Sequence, residues 1–209
     1  MMSDLLVKVC GMRDAENIRE VEALGIDLMG FIFWPKSSRY VSEHPAYLPR
    51  QAKRVGVFVD ADIDDIRQRV QDYRLDFIQL HGHESPDFVR QLRSVCGDTA
   101  IIKAFNIATT EDLFQTESYE GLVDYFLFDT KGKSVGGNGE KFDWSVLDAY
   151  HGHTPFLLSG GIGPDDAERV TTFLTSHKCA GIDLNSRFEL APGLKDIHQL
   201  KEFIKKIRI

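Results

Sequence analysis

The sequence predicts an α/β fold closed as a single (β/α)8 barrel over residues 1–209. Three observations carry that expectation. Apolar, β-branched runs alternate with amphipathic stretches along the whole chain. The repeat is roughly 20 to 30 residues long and recurs about eight times, which suits a short (β/α)8 barrel. No G-x-G-x-x-G follows the first run, and a doubly wound open sheet, the structural alternative, usually needs fewer strands. Strand alternating with helix calls for a parallel sheet with right-handed crossovers.

In chain order the strand-like runs are "LLVKV", "LMGFIF", "RVGVFV", "DFIQL", "AIIKAF", "DYFLFD", "TPFLLS" and "CAGIDL". Between them lie "DAENIREVEAL", "DIDDIRQRVQDY", "SPDFVRQLRSV" and "PDDAERVTTFL", with apolar residues at helical spacing. Asp14, Ser85-Pro86-Asp87 and Pro164-Asp165-Asp166 supply helix openers. The final "DIHQLKEFIKKI" ends in lysines, which complement the helix dipole.

Period-2 alternation assigns faces. Val7 and Val9 share one face of the first strand, Lys8 and Cys10 the other; Ile78 and Leu80 oppose Gln79 and His81. The apolar face belongs under the helices, so the polar set, including Lys103 in "AIIKAF", is expected to point into the barrel. Buried lysines are costly unless paired or close to solvent.

Composition narrows the function. The length suits one domain, and no apolar run is long enough to span a bilayer. The N-terminus lacks the pattern of a signal peptide. The three cysteines, with no CxxC pair, argue against a disulfide framework or a structural zinc and suit a reducing, cytoplasmic setting. A net charge of −7 without a basic stripe argues against nucleic acid. An anionic ligand must therefore be held by local backbone donors and one or two cations.

Barrel enzymes build their sites from the C-terminal ends of the strands. Those ends offer Cys10-Gly11, "WPKSSRYV", Asp60, "HGHES", Asn106, Asp129-Thr130, "SGGIG" and "DLNSRFE". Cys10 and Asp129 are the groups able to move protons, and His81 is placed to touch a substrate. Each alone is weak, since a strand-end aspartate is commonly a turn or cap residue and a cysteine a small hydrophobe. Gly11 reads as a turn that frees the thiol from its own backbone. Gly160 and Gly161, with Asn185 and Ser186 after the last strand, lie where barrel enzymes commonly seat a phosphate. The glycine-rich loop after Asp129, residues 131–141, reads as a lid.

"VKVCGMRD", "GFIFWPKSSRYV", "FIQLHGHE", "LFDTKGKSVGGNGEKFDW" and "GIDLNSRFELAPGLKD" together resemble the phosphoribosylanthranilate isomerase family along essentially the whole chain. The resemblance implies a cofactor-free, metal-free Amadori rearrangement of N-(5-phosphoribosyl)anthranilate in tryptophan biosynthesis; no obligate protein partner is evident in the sequence. It makes Cys10 the general base and Asp129 the general acid. It assigns the substrate carboxylate to Arg39 and the phosphate to the backbone around Gly160, Gly161, Asn185 and Ser186. A base thiol needs its pKa lowered, and Lys8, roughly 6 to 7 Å away by strand rise, is the expected cause. Asp129 as an acid needs its pKa raised, to which a closing lid could contribute.

The chain departs from the family pattern in two places. Many members read Ser-Ser-Gly-Val-Glu where this one has Asn185-Ser186-Arg187-Phe188-Glu189, and many carry Thr at the position of Asn138. Competing readings are another phosphosugar barrel, such as indole-glycerol-phosphate synthase or a ribulose-phosphate epimerase, and a catalytically dead barrel kept as a scaffold. The synthase would need catalytic lysines, a glutamate and usually an N-terminal extension; the epimerase would need a metal with His and Asp ligands. Residues at both the acid and the base position argue against the dead barrel.

Overall fold

The computed structural model describes residues 5–130, 144–177 and 179–208. Eight parallel strands close in sequence order: β1 (Leu6–Cys10), β2 (Leu28–Ile32), β3 (Lys53–Phe58), β4 (Phe77–Leu80), β5 (Ala100–Ile107), β6 (Tyr125–Thr130), β7 (Phe156–Ser159) and β8 (Cys179–Leu184). Closure is made by β8 lying against β1, with Lys8 opposite Asp183. The lid expected over residues 131–141 lies outside the described residues.

All five amphipathic stretches are α-helices: α1 (Ala15–Glu22), α2 (Ile63–Tyr73), α3 (Pro86–Cys96), α4 (Ala167–Ser176) and α5 (Ile197–Ile207). Asp14 and Ser85 cap α1 and α3 by accepting the amides of Asn17 and Phe88. The opener Pro164–Asp166 instead forms a 3-10 turn ahead of α4, in which Asp166 accepts the Gly163 amide at 2.8 Å.

The outer ring is not eight α-helices. The link from β2 to β3, residues 33–52, contains no helix. Pro35, Pro45 and Pro49 remove backbone donors along it. After β5 the chain makes a 3-10 helix, Thr110–Tyr119, that buries Leu113 and Thr116 and leaves Phe114 68% exposed. Its apolar residues do not form a stripe, so packing selects the tighter turn. A short 3-10 helix, Trp144–Ala149, follows the undescribed segment.

Two shells of core flank the strands. Val7, Val9, Ile78 and Leu80 face the helices, as the alternation predicts. Leu28, Val55, Ile102, Ala104, Leu127 and Leu157 form a separate inner cluster that fills the barrel. Ile102 and Ala104 therefore take the inward face of β5, and Lys103 points outward, contrary to the expectation. The inward phase went to the aliphatics because Lys103 finds compensation outside. Its ammonium lies 3.1 Å from Glu84 and donates to the carbonyls of Gly82 and Leu80. Lys8 does point inward, and Asp183 meets it at 2.8 Å with both side chains buried.

Candidate active site

A cleft of about 170 Å³ opens at the C-terminal ends of the strands. Its wall includes Cys10, His81, Asp129, Gly160, Gly161, Asn185 and Ser186. Seven of the eight site residues expected from the sequence are thereby brought to one cavity. Arg39, the eighth, packs beside Gly11 and is engaged by Glu189.

Cys10 ends β1 and is 3% exposed. Opposite it on β2 stands Gly30, where a Cβ would sit only 2.7 Å from Sγ. The thiol occupies space that the missing side chain leaves. Gly11 takes φ of +81°, and its amide donates to the Gly30 carbonyl at 2.9 Å. A Cβ there would collide with Arg39 Cδ at 2.7 Å and Asn185 Oδ1 at 2.9 Å. Gly11 is thus more than a turn: it lets the Arg39 side chain and the Asn185 side-chain amide close over the strand end.

The electrostatics of the thiol differ from the expectation. Burial raises the Cys10 pKa above its ordinary value; Lys8 and Lys195 pull it down, while Asp183 opposes them. Lys8 acts in the predicted sense, but it is already paired with Asp183 and does not outweigh desolvation. For Lys8 itself, burial disfavours the ammonium, yet Asp183 and Cys10 more than offset this and its pKa rises. Asp183 also lies near Ser159 Oγ, at 3.4 Å, and lines the cleft.

A second network backs the first. Glu189 binds Arg39 through Nε and Nη2 at 2.6 to 3.0 Å and accepts from Lys195 at 2.7 Å. Burial works against its carboxylate, but those bonds hold its pKa down to about 2. Lys195 also donates to Asn185 Oδ1 at 2.7 Å, and Asn17 clamps its backbone from both sides. One carboxylate thus ties the arginine to the loop that follows β8.

Asp129 is the penultimate residue of β6, on the other side of the mouth, its side chain 21% exposed and 3.6 Å from His81 Nε2. Gln79 Nε2 lies 2.9 Å from His81 Nδ1, and His81 Nε2 faces Asp129. Gln79 is buried in the cleft wall, and its Oε1 has no partner among the described residues. Gly160 and Gly161 have φ of +97° and +66°, which turns the backbone sharply beneath the cavity. Among the described residues no group of His, Cys, Asp or Glu could hold a metal ion. None of the described helices is long and apolar enough to cross a membrane.

The family model for N-(5'phosphoribosyl)anthranilate (PRA) isomerase matches residues 7–206. The N-(5'-phosphoribosyl)anthranilate isomerase of Parabacteroides distasonis is 51% identical, covering 97% of this chain and 93% of that protein. The chain belongs to this isomerase family. Phosphoribosyl anthranilate isomerase from Thermotoga maritima superposes with a TM-score of 0.81 at 31% identity over 98% of each chain. Another such isomerase, in complex with reduced 1-(O-carboxyphenylamino)-1-deoxyribulose 5-phosphate, gives 0.79 at 28% identity, again over 98% of each.

For a member of the isomerase family, sequence reasoning missed Gly30, Ser159, Asp183, Glu189 and Lys195. Asp183 was the most accessible of these, because the β8 alternation places it between the outward Ile182 and Leu184. Lys195 and Glu189 gave no such signal, since they belong to a small antiparallel ribbon, β9 (Glu189–Ala191) and β10 (Leu194–Lys195), appended after the barrel.

Proposed function

We propose that Cys10 and Asp129 are the base and acid with which this barrel isomerises N-(5'-phosphoribosyl)anthranilate, the activity of its family. Asp129 gives its proton to the ribose ring oxygen, the C1′–O bond breaks, and the anthranilate nitrogen lone pair forms the protonated Schiff base. The Cys10 thiolate removes the C2′ proton, and the electrons left on carbon neutralise the iminium to an enolamine. Tautomerisation then yields 1-(2-carboxyphenylamino)-1-deoxyribulose 5-phosphate.

The observation that carries the assignment is convergence. A thiol on β1 and a carboxylate on β6 open on one cleft, beside the glycine turn that follows β7. The phosphate is assigned to Gly160, Gly161, Asn185 and Ser186, and the anthranilate carboxylate to Arg39, oriented by Glu189. His81 Nε2 stands 3.6 Å from Asp129, and Gln79 Oε1, without a partner among the described residues, is an acceptor for a sugar hydroxyl. The thiolate is the reactive form, so kcat/KM is expected to rise with pH through a thiol pKa that burial raises.

Mixing the purified protein with freshly generated N-(5'-phosphoribosyl)anthranilate and following its fluorescence tests the assignment. A steady decay is expected. Folded protein that leaves the signal unchanged would overturn it.

A further inference from the structure

Among the described residues, the cations around the cleft are nearly all committed. Lys8 is paired with Asp183, Arg39 and Lys195 with Glu189, and Lys103, behind the wall, with Glu84. Arg187 is different. It lines the cleft beside Gly160, Gly161, Asn185 and Ser186 and is exposed. Among the described residues it has no ion pair or hydrogen bond.

Its backbone position is ordinary. Arg187 lies in the 3-10 turn Ser186–Phe188 and is not among the residues of positive φ, so the chain needs no glycine there. What the sequence adds at this point is a side chain. That side chain leans across the loop after β7: its Cβ and Nε lie 3.6 and 3.3 Å from where a Cβ on Gly163 would stand. Asp166, near the same point, is buried and spends Oδ2 on the Gly163 amide. The guanidinium therefore spans the two loops that flank the proposed phosphate seat, with its donors uncommitted.

A phosphate ester is close to a dianion at neutral pH, and the molecule as a whole is negative, with a net charge of −7. Backbone amides can shape a phosphate seat but bring no full charge. A guanidinium brings a full charge and a planar set of donors matched to phosphoryl oxygens. We propose that Arg187 is a phosphate-binding residue of this site, contributing an ionic contact to the phosphoryl group held between the loops after β7 and β8. The inference rests on the isomerase reading for the identity of the phosphate ester, though not for the presence of a phosphate seat.

The test pairs kinetics with a probe that needs no turnover. Wild type and Arg187→Ala are titrated with inorganic phosphate by calorimetry, and KM and kcat are measured with N-(5'-phosphoribosyl)anthranilate. Loss of one charge-assisted contact is expected to weaken phosphate binding and raise KM by about tenfold each, with kcat within about twofold. Arg187→Lys should recover part of both. Phosphate affinity and KM unchanged in Arg187→Ala would overturn the inference, as would a wild-type protein that binds no phosphate. A protein that binds phosphate through Arg187 yet isomerises nothing would sink the isomerase reading and leave this inference standing.

Discussion

The two sides of the cleft mouth are built on opposite plans. Cys10 is 3% exposed and sits within a closed set of charges, where Lys8 is answered by Asp183 and Lys195 by Glu189. Asp129 keeps 21% of its side chain exposed and meets one imidazole at 3.6 Å. The proposed base is therefore governed inside the barrel, by burial against paired ions. Asp129, the proposed acid, stands at the rim within reach of solvent. A buried pair also resists change, because removing one member strands the other.

The largest effect should come from deleting the proposed base and acid. Cys10→Ala and Asp129→Asn are each expected to lower kcat by about 10³-fold, within the range of general acid–base catalysis, while a product analogue still binds. Retention of wild-type kcat in either variant would remove that residue from the mechanism. Gly30→Ala comes next: its methyl would occupy space 2.7 Å from Sγ. Displacing the proposed reacting atom by that clash should cost about a hundredfold in kcat with the fold kept, as circular dichroism and kinetics together would show.

Lys8→Met and Lys103→Met sharpen the contrast further. Each strands a buried carboxylate, Asp183 or Glu84, so each should destabilise by about 3 to 5 kcal/mol in urea unfolding. Only Lys8→Met should also change the chemistry, moving the alkaline rise of kcat/KM to higher pH because a cation beside the thiol is gone. A shifted profile in Lys103→Met would contradict its outward placement.

The smallest effect concerns Glu189, whose folded pKa of about 2 lies below the value of about 4.3 expected in an unfolded chain. A depressed carboxylate contributes stability above the unfolded value and loses it as pH falls through the folded one. Wild type should therefore lose this contribution between about pH 4.5 and pH 2, and Glu189→Gln should flatten that part of the stability curve. Identical acid limbs in the two proteins would argue against the charged cradle.

Much of the frame was legible because it is periodic. Val7, Val9, Ile78 and Leu80 fell on the predicted face, and five amphipathic stretches became five helices. Lys103 was misplaced because a lone polar residue among aliphatics has two self-consistent phases. The deciding partner, Glu84, lies on a loop 19 positions away. The expected lowering of the Cys10 pKa failed for a related reason: the cation was visible two residues away, whereas Asp183, which consumes its charge, lies 175 positions from Lys8. Arg39 was recognised but not its tie to Glu189, 150 positions on.

Sequence by itself determined the eight-fold rhythm, the strand-end placement of Cys10 and Asp129, and the glycines after β7. Local patterns encode backbone direction and which residues share a face. Tertiary structure decided the ionisation of the thiol, the outward turn of Lys103, the Glu189 cradle and the uncommitted guanidinium of Arg187. Those properties depend on what each charge meets across the closed barrel, and charge pairing and burial act through space between residues far apart in the chain.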